Sequence, residues 1–131
     1  MAAIGLVQLK YLDRDNAYRR QVCKWYRDRF EQYPEQIKLV RIETGCESSC
    51  HLFQICVENR DELMVALNEA EIFPGVHYAS NINYKMYEYA KGTCPYSDYV
   101  SDHTISLPLN MYLSYEDVQR ICDEVIKFVT K

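Results

Sequence analysis

Residues 49–63 read SCHLFQICVENRDEL, and this stretch decides the fold class. Its first ten residues are rich in apolar and aromatic side chains, and their length and bounds suit a strand near the middle of a sheet. Asn59 then stands where a helix N-cap belongs. Glu62 sits at the N3 position, and Leu63, Ala66, Leu67 and Ala70 follow at helical spacing. A strand that runs straight into a capped helix predicts mixed secondary structure.

Toward the C-terminus, Phe73-Pro74-Gly75 breaks the chain, and 76–78 reads as a short strand. Residues 79–100 are rich in tyrosine, which predicts a loop with one or two helical turns over 95–100. Residues 104–107 read as a strand stopped by Pro108. Ser114 and Asp117 form a capping-box-like start for a last helix, whose stripe is Val118, Ile121, Cys122, Val125, Ile126 and Val129. Toward the N-terminus, 37–42 is extended and closed by Gly45. Ile4, Val7, Leu12, Tyr18, Val22, Trp25, Tyr26 and Phe30 predict one long helix ending before Pro34. The expected fold is α+β. A small, mainly antiparallel sheet carries a long N-terminal helix, a middle helix and a C-terminal helix packed on it, in one domain over 1–131.

Composition narrows the function. The chain has 131 residues, enough for one modest core, and a formal net charge of -4. An acidic balance argues against nucleic-acid binding, which normally needs a basic surplus. Arg14, Arg19, Arg20, Lys24, Arg27 and Arg29 cluster but alternate with Asp13, Asp15 and Asp28, as on a solvated helix face. No apolar run is long enough to span a bilayer, and no signal-like segment follows Met1, so no membrane partner and a cytoplasmic setting are expected. The six cysteines are then expected to be reduced and mostly buried.

Local motifs for chemistry are few. Cys46, Cys50, His51 and Cys56 lie close together, but their spacing matches no paired zinc knuckle, and no metal site is expected. No signature joins a cysteine to His51, His77 or His103 as a nucleophile and base. Gly5, Gly45, Gly75 and Gly92 form no phosphate-binding loop. His77-Tyr78 follows the Pro74-Gly75 turn, a usual place for exposed functional side chains, although a buried tyrosine beside an incidental histidine fits the local pattern as well.

Taken in order, five segments resemble the DegT/StrS-type sugar aminotransferases, PLP-dependent enzymes of the aspartate-aminotransferase fold. AAIGLVQLKYLD is similar to the helix that follows their large domain. SCHLFQICVENRDEL resembles their central strand and following helix, and PGVHY their His-Tyr segment. YKMYEYAKGTCPYSDYVSDHTISLPLN resembles the stretch ending in Ser-Leu-Pro, and SYEDVQRICDEVIKFV their closing helix. The resemblance covers essentially the whole chain and places it as the C-terminal small domain of such an enzyme.

That resemblance implies transfer of an amino group from glutamate to a nucleotide-linked keto sugar in cell-surface polysaccharide or glycan biosynthesis. By resemblance, His77, Tyr78, Asn81 and Tyr84 face the nucleotide-sugar, and Ser106-Leu107-Pro108 is a turn beside them. Asn110 stands where family members often carry histidine. The family's PLP lysine lies in the large domain, and none of Lys10, Lys24, Lys38, Lys85, Lys91, Lys127 and Lys131 has a matching context. The expectation is therefore no catalytic residue, no cofactor and no transaminase activity in this chain alone, as a cut fragment or a truncated gene product. The N-terminal helix, without its large domain, is expected to expose apolar surface and favour self-association. The alternative is a free-standing, non-catalytic binding or interaction domain that kept the fold.

Overall fold

The computed structural model describes residues 2–77 and 79–131. Its elements are α1 (Ala2–Leu9), α2 (Leu12–Phe30), β1 (Lys38–Leu39), β2 (Phe53–Cys56), α3 (Arg60–Glu69), α4 (Pro95–His103), β3 (Thr104–Leu107) and α5 (Tyr115–Val129). Two 3-10 segments, Asn81–Asn83 and Lys85–Ala90, precede α4. Among the described residues the sheet has the order β1-β2-β3, antiparallel throughout, as the α+β reading expects.

Strand alternation gives that sheet two unlike faces. Phe53 pairs with Leu107 and Ile55 with Ile105, and all four are buried. The intervening pairs are Gln54 with Ser106 and Cys56 with Thr104, so the polar side chains share the opposite face. The apolar face meets the helices. Tyr26 and Phe30 of α2 stack on Phe53, with Tyr26 and Phe53 ring centroids 4.6 Å apart. The Tyr26 hydroxyl donates to the Pro108 carbonyl at 2.9 Å, so a fully buried phenol keeps a partner. Burial pushes that phenol's pKa up. Tyr18 donates to Leu113 O at 2.7 Å, which ties α2 to the segment leading into α5.

Helix α5 packs on both α2 and α3, burying Val118, Ile121, Cys122, Val125 and Ile126 as its stripe predicts. Its start is a complete capping box. The Asp117 amide donates to Ser114 Oγ at 3.1 Å, and the Ser114 amide donates to Asp117 Oδ2 at 2.9 Å. Those Ser114 bonds hold the Asp117 carboxyl below the usual carboxylate range. Helix α3 ends without glycine. Glu71 takes φ 58° while the Ile72 amide donates to Leu67 O at 2.8 Å and the Glu71 amide to Asn68 O at 3.0 Å. Ile72 and Leu67 are both buried, so the apolar contact of this Schellman end holds a residue that lacks glycine's freedom.

Several expected boundaries shift. The single long helix divides at Lys10–Tyr11, where amide bonds run three residues back, from Lys10 to Val7 O and from Tyr11 to Gln8 O. Helix α1 buries nothing, so no packing holds it collinear with α2, and Asp13 and Asp15 favour a fresh N-terminus there. The strands expected at 37–42 and 49–58 shrink to two and four residues, because strand pairing among the described residues covers only those. Cys50 therefore precedes the strand. Asn59 makes no side-chain cap bond to α3. No strand forms at Val76 or His77, where only Gly75 bridges to Ser106, and Tyr78 lies outside the described residues. Ser106 and Leu107 belong to β3 and not to a turn. All six cysteines are free. Cys23, Cys50 and Cys122 are buried, Cys56 is half-buried, and Cys46 and Cys94 are exposed.

Candidate functional site

The polar face of β2 and β3 floors a cavity of about 700 Å³. Gln54, Cys56 and Thr104 line the floor, His77, Ala79, Ser80, Asn81 and Tyr84 one side, and Ser97, Val100 and Ser101 of α4 another. His77, Asn81 and Tyr84 all line it, so the structure brings together three residues chosen from the sequence. Ser106 lies next to them without lining the cavity. Tyr78 lies outside the described residues.

His77 is placed by local rules. The Gly75 amide donates to Ser106 O at 2.9 Å, and the Ser106 amide donates to Gly75 O at 2.8 Å. This reciprocal pair pins the chain to β3 just before the histidine. A Cβ on residue 75 would sit 3.0 Å from His77 Cε1, so the absence of a side chain lets the ring fold back over Gly75. There His77 Nδ1 lies 2.9 Å from Ser106 Oγ, and Ser106 is only 3% exposed. A serine hydroxyl can donate or accept, so this contact orients the ring in either neutral tautomer.

The opposite wall is held from both sides. The Ser80 amide donates to Ser101 Oγ at 2.8 Å, and Ser80 Oγ donates to Asp98 Oδ1 at 3.1 Å, which ties the 77–84 segment to α4. Thr104 Oγ1 donates to Val100 O at 2.6 Å, so across the 3.2 Å contact the Cys56 thiol is the donor to Thr104 Oγ1. Arg60 of α3 donates to Thr104 O at 3.0 Å and fixes the α4–β3 junction from outside. Midway along α4, Tyr99 donates to Glu58 Oε1 at 2.9 Å, and that bond raises the phenol's pKa.

Among the described lining residues there is no Lys, Arg, Asp or Glu. The cavity therefore offers hydroxyl, amide, imidazole, thiol and phenol groups, suited to an uncharged ligand with many hydroxyls. Asn110 is not among its lining residues. Its Oδ1 accepts from the Tyr112 amide at 2.8 Å and shapes a surface turn.

Gln54, Cys56, Ser97, Ser101 and Thr104 were not foreseen as site residues. For Gln54 and Cys56 the signal lay in FQICV, where polar and half-polar positions alternate with apolar ones. For the helix residues there was none, because α4 meets the sheet only through tertiary packing.

Residues 1–126 match the model of the DegT/DnrJ/EryC1/StrS aminotransferase family. The dTDP-3-amino-3,6-dideoxy-alpha-D-galactopyranose transaminase of Aneurinibacillus thermoaerophilus is 29% identical over 129 residues, covering 97% of this chain and 35% of that protein. The crystal structure of S. venezuelae DesV in complex with a ketimine intermediate is 25% identical with a TM-score of 0.91, covering 99% of this chain and 36% of DesV. Helicobacter pylori PseC, an aminotransferase involved in pseudaminic acid biosynthesis, is 26% identical with a TM-score of 0.84, covering 98% and 36%. The chain spans about a third of the length of these relatives.

Proposed function

The chain belongs to the DegT/DnrJ/EryC1/StrS aminotransferase family, and on that premise we propose that it is the substrate-facing small domain of a sugar aminotransferase. The cleft takes the sugar of a nucleotide-linked keto sugar. The observation that carries this reading is the uncharged hydrogen-bonding lining built around His77, Asn81, Tyr84 and Gln54. Ring hydroxyls need donors and acceptors at several angles, and amide, imidazole and phenol groups supply both. His77 orients the sugar, held by Ser106 behind it. Tyr84, 59% exposed, offers a flat apolar face to the ring. Tyr78 takes part by resemblance alone.

The family implies PLP, which is bound through a lysine amine and cradled by phosphate ligands. The residues here do not fit it. Among the described residues no lysine lines the cleft. Lys24 pairs with Asp28, Lys38 donates to Pro34 O at 2.7 Å, and Lys127 pairs with Glu124. Amino transfer thus requires a lysine-bearing domain outside these residues, and this chain alone has no transaminase activity. Mixing the chain with PLP and reducing with borohydride is expected to leave every lysine unmodified at stoichiometric PLP. Trapping at a single lysine would overturn this.

Binding is tested by amide chemical shifts of the isotope-labelled chain titrated with a dTDP-hexose. Shifts confined to 54–56, 77–84 and 97–106 are expected, with weak affinity. Shifts elsewhere, or none at millimolar ligand, count against the reading. A second reading is a non-catalytic interaction domain, favoured by α1, where Ile4, Leu6 and Leu9 are 62%, 65% and 63% exposed. Light scattering across concentration tests self-association through that helix. A monomer at all concentrations removes it.

A further inference from the structure

Three cysteines meet away from the cleft floor. Cys23 of α2, with Cys46 and Cys50 from the connection between β1 and β2, lines one groove of about 280 Å³ beside Arg20 and Arg27. Cys23 and Cys50 also line a second recess of about 160 Å³, whose wall includes Val40 and Gln54. Both thiols are buried, at 6% and 9% exposure, whereas Cys46 is exposed. Cys50 adopts φ 51°, a left-handed conformation costly for a residue with a Cβ. Its amide donates to Ser48 Oγ at 3.1 Å, which steadies that bend. Burial, then the hydrogen bond with Cys50, pushes the Cys23 thiol up to about 12. Cys23 and Cys50 line the same groove and the same recess, which makes the two side chains neighbours across the α2 face. Among the described residues, no three His, Cys, Asp or Glu side chains are placed to hold a metal ion. The pair is not explained by the sugar cleft or by a metal.

We propose that Cys23 and Cys50 form an oxidation site, at which peroxide closes a disulfide between α2 and the 40–52 connection. Cys50 lies on the irregular segment and reacts first. Its sulfur attacks one peroxide oxygen, the O–O bond breaks, and the departing hydroxide takes the thiol proton and leaves as water. The Cys23 sulfur then attacks the Cys50 sulfenic acid, the S–O bond breaks, and the second water carries off the Cys23 proton. Two thiols are oxidised and one peroxide is reduced to two waters. The groove of about 280 Å³ is large enough to admit peroxide beside the two buried side chains. Because Val40 and Gln54 line both the recess and the sugar cleft, the bridge would stiffen the cleft wall.

The test treats the full chain, under native conditions, with stoichiometric hydrogen peroxide. Alkylation, non-reducing trypsin digestion and mass spectrometry follow. Trypsin releases Cys23 in residues 21–24 and Cys46, Cys50 and Cys56 together in 42–60. The expected product is a 21–24/42–60 linked peptide, lost on reduction. Cys46→Ser and Cys56→Ser should retain it, and Cys50→Ala should abolish it. The unmutated chain gives the first answer without any variant, so a poorly folded mutant leaves the test intact. Absence of the linked peptide, a link made only to Cys94, or a link that survives in Cys50→Ala would each overturn the proposal.

Discussion

The two faces of β2 and β3 are built from neighbouring residues of the same strands, yet they do opposite work. Phe53, Ile55, Ile105 and Leu107 are closed under helices, while Gln54, Cys56 and Thr104 face a cavity and Ser106 braces a histidine. A two-residue period is the whole difference. One face is held by apolar burial, which is non-directional and tolerates similar shapes. The other depends on hydrogen bonds whose partners are fixed by position.

The contrast can be broken by substitution. Ile55→Ala should cost about 3 kcal/mol in denaturant unfolding, since Ile55 is fully buried, whereas Gln54→Ala should cost no more than about 0.5 kcal/mol. Equal costs would show that the faces are not distinct. Tyr26→Phe should lose about 1–2 kcal/mol by stranding the Pro108 carbonyl, measured the same way. Ser114→Ala should cost about 1 kcal/mol and unravel the first turn of α5, visible as faster amide exchange at 115–118. Asp117 titrates below its unfolded value, so its contribution is present above the unfolded pKa and fades as pH falls through the folded one. The acid limb of stability should therefore flatten in Asp117→Asn. On the polar face, Gly75→Ala should leave stability nearly unchanged yet displace the His77 ring, read from the loss of nuclear Overhauser contacts to Ser106. Contacts that persist in Gly75→Ala would show that His77 does not need the bare glycine.

The sequence made these faces legible to different degrees. The α5 stripe and its capping box were readable because both are local and periodic. The family resemblance picked out His77, Asn81 and Tyr84, and the fold brings them to one cavity. The break after α1 escaped because helical spacing records apolar residues and not whether anything covers them. Cys50 looked like strand because its neighbours are apolar, but a strand ends where its partner ends. The alternation in FQICV marks Gln54 and Cys56 as one face, but only strand pairing across the chain sets Thr104 beside them and aims the row at the cleft.

The pairing of Cys56 with Thr104 has a further consequence. The chain from α3 through α4 leaves the sheet at one strand end, touches it again where Gly75 bridges Ser106, and returns at the matching end. Closing such a loop costs entropy that grows only logarithmically, about 0.6 kcal/mol for each doubling of its length. Insertions within 79–94 would therefore burden the fold very little while remaking one side of the cavity. A lineage could rewrite what this wall recognises, residue by residue, with the strands beneath it unaware of the change.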